Sequence, residues 1–213
     1  MSFGPDWLAD RIALLVPVWL SLSVHEWAHA YAAYRLGDDT AARLGRMTLN
    51  PLAHIDPLGT VLLPLLGVPF GWAKPVPVNP VRFDRSMSMG TGLAITAAAG
   101  PASNFALAIL SLLGVAALSH FGVMHPGLLY LFITMTIVNT SLGVFNLFPI
   151  PPLDGSRIAE AFVPYRWRSA WDAWASAGPF LLIALIAAPQ ILGVSLLAWP
   201  VGALMSLLAS VVR

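Results

Sequence analysis

The chain has 213 residues, of which 58% are apolar and 10% are charged, and its formal net charge at pH 7 is +1. Soluble proteins carry about 25% charged residues, so the composition excludes an ordinary soluble domain and indicates a polytopic membrane protein. The near-neutral charge leaves no basic stripe for a nucleic-acid partner. Cysteine is absent, which excludes disulfides and thiolate ligands, so a metal must be held by His, Asp or Glu.

The first apolar run, Trp7 to Tyr34, is long enough to cross a bilayer, yet it contains the sequence HEWAH from His25 to His29. Each ionisable residue at membrane depth costs at least about 2.5 to 3.5 kcal/mol on insertion scales, so three together indicate a function. On a helix, positions i and i+4 share one face, and both imidazoles can hold one metal ion with Glu26 beside it. This H-E-x-x-H pattern predicts His25 and His29 as zinc ligands and Glu26 as a general base.

The polar stretch that follows contains several local signals. Ala42 to Leu49 alternates apolar and polar residues, which predicts a strand of a β-hairpin loop that either offers an edge to substrate or only connects elements. Asp56 before Pro57 predicts a helix N-cap with proline at the first helical position. For His54, which lies between these signals, two roles are equally open: contact with substrate or with a zinc ligand, and a purely structural role.

The other apolar runs set the expected architecture. Leu58 to Phe70 is too short to cross a hydrocarbon core of about 30 Å at 1.5 Å per residue, which predicts a re-entrant or interfacial segment. Gly90 to Leu118 and Gly127 to Phe148 are each long enough for one span. Ser176 to Val212 is too long for one span, and Pro189-Gln190 predicts a turn between two short ones. We therefore expect an all-α polytopic membrane protein with about five to six transmembrane segments.

A third zinc ligand must come from elsewhere in the chain, because a catalytic zinc usually takes three protein ligands and one water. Asp154 follows an apolar run broken by three prolines, and such a break at membrane depth is tolerated only where it lines a polar cavity. From the residues alone, a ligand and a turn aspartate before Gly155 are equally good interpretations. His120 and His125 flank a short loop on the opposite side, where solvated histidines are expected.

Four motifs together resemble the site-2 protease family of intramembrane zinc metalloproteases. HEWAH at 25–29 is followed by PPLDG at 151–155 on a later span, and GPASN at 100–104 resembles the family's G-x-x-x-N element. Asn146 stands eight residues before Asp154, as in the family's N-x-x-P-x-P-x-x-D-G. NPLAHIDP at 50–57 resembles a motif of the compact bacterial members that carry no PDZ or CBS domain. The resemblance covers roughly residues 20 to 160.

The resemblance implies a three-helix catalytic core, which we place within residues 1–160. The length of the last apolar tract predicts that residues 161–213 form a C-terminal transmembrane hairpin of the same domain. It implies zinc held by His25, His29 and Asp154, with Glu26 as the general base. It also implies regulated cleavage of peptide bonds within or near transmembrane segments of substrate proteins.

Two asparagines and two other function classes stay open at this stage. Asn104 and Asn146 are candidates for substrate binding or for stabilising the tetrahedral oxyanion, and interhelical hydrogen bonding is the alternative. A membrane metal-binding or transport protein could use the same histidines without needing a general base. A prenyl-protein protease would need a glutamate as its third ligand, and Glu160 is the only one available.

The distribution of basic residues predicts the orientation in the membrane. If Leu58 to Phe70 does not cross, ten of the eleven Lys and Arg residues lie on one side and only Arg11 lies on the other. The positive-inside rule then places the N-terminus outside and the main loop in the cytoplasm. We expect a multi-pass protein of a bacterial or archaeal cell membrane, with its active site toward the cytoplasmic side.

Overall fold

The computed structural model describes residues 5–66, 71–123 and 125–193, together with the single positions 198, 202, 203 and 206. Within these residues the chain is helical and contains no β-strand, as the all-α prediction requires. The α-helices of this part of the chain are α1 (Pro5–Arg35), α2 (Thr40–Arg43), α3 (Leu63–Leu65), α4 (Met89–His120), α5 (Pro126–Asn146), α6 (Asp154–Glu160), α7 (Arg168–Ser176) and α8 (Gly178–Leu192).

The centre of the fold is α4, which packs against α5, α1 and α6, while α1 also packs against α5. Among the described residues, α4 and α5 are long and apolar enough to cross a membrane, and they match two of the predicted spans. The pair that begins at Tyr165 and ends at Ala188 is bent by 58° and would add a third if it forms one span. The larger number of five to six spans stays a prediction.

Glycines let α4 and α5 approach each other closely. A Cβ atom at Gly114 would lie 3.0 Å from the ring of Phe132, and one at Gly143 would lie 2.9 Å from the ring of Phe105. Real Cβ atoms seldom have neighbours at these distances, so a side chain at either position would force the facing ring or its helix to shift. The close packing brings buried polar side chains of the two helices within hydrogen-bonding distance.

The strand predicted for Ala42 to Leu49 is wrong. The segment begins inside α2, where the buried carboxylate of Asp38 accepts a hydrogen bond from the Thr40 backbone N–H at 3.0 Å. Ala41 then packs in a small buried cluster, and Gly45 reverses the chain with a φ of 66°. The local capping and the burial of Ala41 favour a helical turn over the alternating pattern of the sequence.

The short apolar run after Pro57 forms a helix that is much too short to span a membrane. Its first six residues, Pro57–Leu62, are π-helical and continue directly into α3. The side chain of Asp56 accepts hydrogen bonds from the N–H groups of Leu58 and Gly59, so the predicted N-cap is confirmed. Residues 67–70 of this run lie outside the described residues.

The turn predicted at Pro189-Gln190 is also wrong. Helix α8 continues through both residues and ends at Leu192, and Gly193 follows with a φ of 64°. A proline removes only one backbone hydrogen bond from a helix, whereas a helix end in the left-handed conformation favours glycine. The second short span predicted after this point falls almost entirely outside the described residues.

Candidate metal centre

One turn of α1 presents three buried ionisable side chains to the middle of the fold. His25, Glu26 and His29 are 5%, 8% and 8% exposed, respectively. The Nε2 atoms of the two imidazoles lie 3.0 Å apart, as the i, i+4 spacing predicts. This turn of α1 therefore holds two potential ligand atoms at one point.

Asp154 reaches the same point from the start of α6. Helix α5 ends at Asn146, and the chain turns back so closely that a Cβ atom at Gly155 would collide with the backbone carbonyl of Leu147. This packing sets the depth of Asp154. Its Oδ2 atom lies 3.2 Å from His25 Nε2 and 3.3 Å from His29 Nε2.

The opposite nitrogen of each imidazole is held by α4. His25 Nδ1 donates to Asn104 Oδ1 at 2.6 Å, and His29 Nδ1 donates to the Thr96 carbonyl oxygen at 2.8 Å. Gly100 makes this contact possible, because a Cβ atom there would collide with both imidazole rings. With the proton on Nδ1, each neutral imidazole directs the lone pair of Nε2 toward Asp154.

The three converging atoms fit a zinc ion. Two unprotonated nitrogens and a carboxylate oxygen are all acceptors, and Asp154 Oδ2 is buried without a hydrogen-bond partner among the described residues. Ligand atoms about 2.0 to 2.2 Å from a tetrahedral zinc lie about 3.3 to 3.6 Å from one another, and the 3.0 to 3.3 Å found here lies just below and at the start of that range. A cation at this point would satisfy all three acceptors at once.

The forms of these side chains that bind a metal are the carboxylate of Asp154 and the neutral imidazoles of His25 and His29.

Glu26 lies beside the three acceptors but does not join them. Its Oε2 atom accepts a hydrogen bond of 2.8 Å from the backbone N–H of Val76. Val76 belongs to the proline-rich segment 71–79, which forms no helix, and the prolines at 75 and 77 favour an extended backbone there. This contact fixes one carboxylate oxygen and leaves the other available to a proton.

Backbone contacts tie the extended segment to its surroundings. The Lys74 N–H donates to the His54 carbonyl oxygen at 2.9 Å, and the Asn79 N–H donates to Asp38 Oδ2 at 2.6 Å. Arg46 Nη2 also donates to the Lys74 carbonyl oxygen at 2.7 Å. The segment is therefore held in place at several points on either side of Val76.

A cavity of about 1000 Å³ opens in front of the metal-binding atoms and Glu26. Apolar side chains of α4, α5 and α8 form much of its wall, and the extended segment forms another part. Arg157, one turn after Asp154 on α6, is exposed and also lines the cavity. The cavity is large enough for a peptide segment.

The other predicted site residues lie in three different places. Asn146 lines the cavity, and its Nδ2 donates to the Leu142 carbonyl oxygen at 3.0 Å. Asn104 is fully buried behind His25 and does not line the cavity. His54 is 2% exposed, and its Nε2 donates to the Thr48 carbonyl oxygen at 2.8 Å, so it is not brought to the metal-binding atoms.

Three contacts of the candidate site were missed from the sequence. The carbonyl of Thr96, the N–H of Val76 and the side chain of Asn139 each support a site residue that is at least 35 positions away. Two of these contacts use backbone atoms, which no sequence motif marks. Asn139 is a polar residue in an apolar helix, and that was the only available signal.

Across the residues that the structure describes, His25, His29 and Asp154 are the only group of three or more such side chains placed to share a metal ion. A transport path would use further clusters along its length. The arrangement therefore favours a single catalytic centre over the metal-transport alternative.

Comparison with known proteins gives consistent matches. The model of "Peptidase family M50" matches residues 114–185, which include Asn146 and Asp154. "Putative zinc metalloprotease YwhC" of Bacillus subtilis (strain 168) is 40% identical over 192 residues, covering 88% of this chain and 84% of that protein. "Putative zinc metalloprotease Rip2" of Mycolicibacterium smegmatis is 32% identical over 184 residues, covering 84% of this chain and 68% of that protein. The Rip2 protein of Mycobacterium tuberculosis (strain H37Rv) is 32% identical over 181 residues, covering 84% and 69%, respectively. No solved structure matches.

Proposed function

Because the chain belongs to peptidase family M50, the site-2 proteases, and is a membrane zinc metallopeptidase, we propose that it cleaves peptide bonds within or near transmembrane segments of other membrane proteins. The observation that carries the proposal is the meeting of three acceptor atoms beside a buried glutamate, at the wall of a cavity between apolar helices. Metal-dependent hydrolysis needs this combination of ligands, base and sheltered space.

In this proposal His25, His29 and Asp154 hold the zinc ion. Two neutral imidazoles and one carboxylate are a common ligand set of catalytic zinc, and they leave a position for water. The bound zinc supplies Lewis acidity, which makes a water molecule a better nucleophile and polarises a peptide carbonyl.

Glu26 is the proposed general base. Its carboxylate lies on the same helical turn as both imidazoles and faces the cavity, where it can take a proton from the attacking water and then give it to the leaving amine. The Val76 N–H holds one carboxylate oxygen, so the side chain keeps a single orientation during the transfer. Asn146 lines the same cavity and is the better placed of the two asparagines to contact substrate or an oxyanion.

The proposed substrate is a membrane-spanning segment whose end has unwound. A protease must reach the peptide backbone, and a regular helix hides that backbone inside its own hydrogen bonds. The apolar side chains of the cavity suit the residues of such a segment. The distribution of Lys and Arg residues supports an active site nearer the cytoplasmic face.

Cleavage of a single-span reporter in proteoliposomes tests the proposal. Glu26→Gln should retain zinc, because all three proposed ligands remain, while the turnover falls by about 10² to 10⁴ with the loss of proton transfer. Glu160→Gln changes the other glutamate of the chain, which pairs with Arg168 at 3.2 Å, and should cleave normally. Equal turnover of the wild-type and Glu26→Gln proteins would refute the proposed protease.

A further inference from the structure

We propose that Asn139 on α5 acts through Asn104 as a positioning residue, which fixes the proton of His25 on Nδ1 and so keeps Nε2 free for zinc. The inference rests on the proposed function, because it assumes that His25 is a zinc ligand. It assigns a role to a residue outside the motifs that point to the site.

The hydrogen bonds that link Asn139 to His25 are made by fully buried side chains from three helices. Ser21 on α1, Asn104 on α4 and Asn139 on α5 each have 0% exposure. Asn139 Nδ2 donates to Ser21 Oγ at 2.8 Å, and Asn104 Nδ2 donates to Asn139 Oδ1 at 2.8 Å. Asn104 Oδ1 then accepts the hydrogen bond of 2.6 Å from His25 Nδ1. Buried polar groups that are paired in this way favour one arrangement over all others.

The direction of each hydrogen bond in this series, from Asn139 through Asn104 to His25, follows from one backbone atom. Asn139 also contacts the Met135 carbonyl oxygen at 2.8 Å, and a carbonyl oxygen can only accept. The Asn139 atom at that contact must therefore be Nδ2, so Oδ1 faces Asn104. Asn104 must then present Nδ2 to Asn139 and Oδ1 to His25. An acceptor at His25 Nδ1 requires the proton on that nitrogen, and Nε2 is left unprotonated.

The proton of His29 is also fixed on Nδ1, but without an intervening side chain. Its Nδ1 donates directly to the backbone carbonyl of Thr96, which has a fixed polarity. The partner of His25 is instead an amide side chain, whose oxygen and nitrogen ends can exchange by a half-turn. Asn139 fixes the orientation of the Asn104 amide. The position of the proton on His25 therefore depends on the packing of α5, whereas the position of the proton on His29 does not.

Loss of Asn139 would let the Asn104 amide turn. With Nδ2 facing His25, the imidazole would carry its proton on Nε2, where the proton competes with zinc. Groups that orient metal-binding histidines typically change metal affinity by about 10- to 100-fold when they are removed. We expect Asn139→Leu to weaken zinc binding by about tenfold and Asn104→Leu by more.

The experiment uses the full chain in detergent, with two measurements that do not depend on proteolysis. Zinc affinity is measured by competition with a chelator, and the proton position on each imidazole is read from ring nitrogen chemical shifts after zinc removal, at alkaline pH, where both imidazoles are neutral. Thr136→Val is the matched control, because Thr136 is equally buried on α5 and its hydroxyl donates only to the Phe132 carbonyl oxygen at 2.7 Å. Asn139→Ser, whose short hydroxyl cannot reach Asn104, replaces Asn139→Leu if the latter does not fold.

The expected result is that the Asn139 variant shows weaker zinc binding and a share of His25 with the proton on Nε2, while His29 stays unchanged. Zinc affinity equal to that of Thr136→Val, or His25 protonated only on Nδ1 in both variants, would overturn the inference. A wild-type chain that binds zinc but cleaves no reporter would refute the proposed protease and leave this inference standing. The two failures are therefore distinguishable.

Discussion

The two sides of the imidazole pair differ in how their polar atoms are satisfied. On the buried side, facing α4, His25 and His29 each donate to a defined acceptor. On the cavity side, both Nε2 atoms and Asp154 Oδ2 are acceptors that face one another without a donor between them. The comparison teaches that the buried side fixes the orientation of the two rings, whereas the cavity side carries the atoms that we propose to bind zinc. Substitutions on the two sides should therefore affect different measurements.

The largest expected effect on the buried side comes from Gly100→Ala. The added methyl group would collide with both imidazole rings, and overpacking of this kind costs typically 1 to 3 kcal/mol. Because the collision is with the two ligand rings, this free energy should weaken zinc binding, and zinc affinity should drop by about 5- to 150-fold in chelator competition. Gly114→Ala, which overpacks the same helix against Phe132, should lower thermal stability but leave zinc affinity unchanged. Equal zinc affinities for the two variants would mean that α4 does not position the ligands.

On the cavity side, Val76→Pro should lower turnover without releasing zinc. The substitution removes the N–H that holds Glu26, and a hydrogen bond to a charged group is worth about 1.5 to 3 kcal/mol. We expect reporter cleavage to slow by about 10- to 150-fold. Proline suits the extended backbone before Pro77, and Val76→Ala, which keeps the N–H, is the control. Unchanged or faster cleavage by the proline variant would show that this contact does not orient the base.

The smallest effect is expected away from both sides, at the N-cap of the short helix. Asp56→Ala should lower the free energy of unfolding by about 0.5 to 2 kcal/mol, because the Leu58 and Gly59 N–H groups lose their acceptor. Asp56→Asn keeps an acceptor and should lose less stability in the same thermal melt. Neither variant should change the rate constant for cleavage, and a large loss of turnover would mean that the loop also belongs to the site.

Local patterns in the sequence predicted α4, α5, the Asp56 cap and the meeting of His25 with His29. Each of these depends on hydrophobic length, on capping chemistry or on the i, i+4 spacing, which operate over a few residues. The strand at Ala42 to Leu49 failed because the burial of Ala41 is a tertiary effect that an alternating pattern does not show.

The hydrogen bonds that hold the site residues in place could not be predicted from the sequence, because they too depend on tertiary packing. Asn139 lies 35 residues from Asn104 and 118 from Ser21, and Val76 lies 50 from Glu26. Such contacts follow from the packing of helices against one another, for which an apolar sequence gives little information. Asp154 was a candidate ligand from its proline-broken span, and only the fold brings it to the two imidazoles.

The zinc content of two matched variants tests the central assignment most directly. Asp154→Ala removes the only carboxylate among the described residues that meets both imidazoles, whereas His54→Ala removes a buried histidine bonded to the Thr48 carbonyl oxygen. Measured on purified full chain, Asp154→Ala should lose most of its zinc, and His54→Ala should keep the wild-type stoichiometry. Zinc retained without Asp154 and lost without His54 would contradict the proposed ligand set.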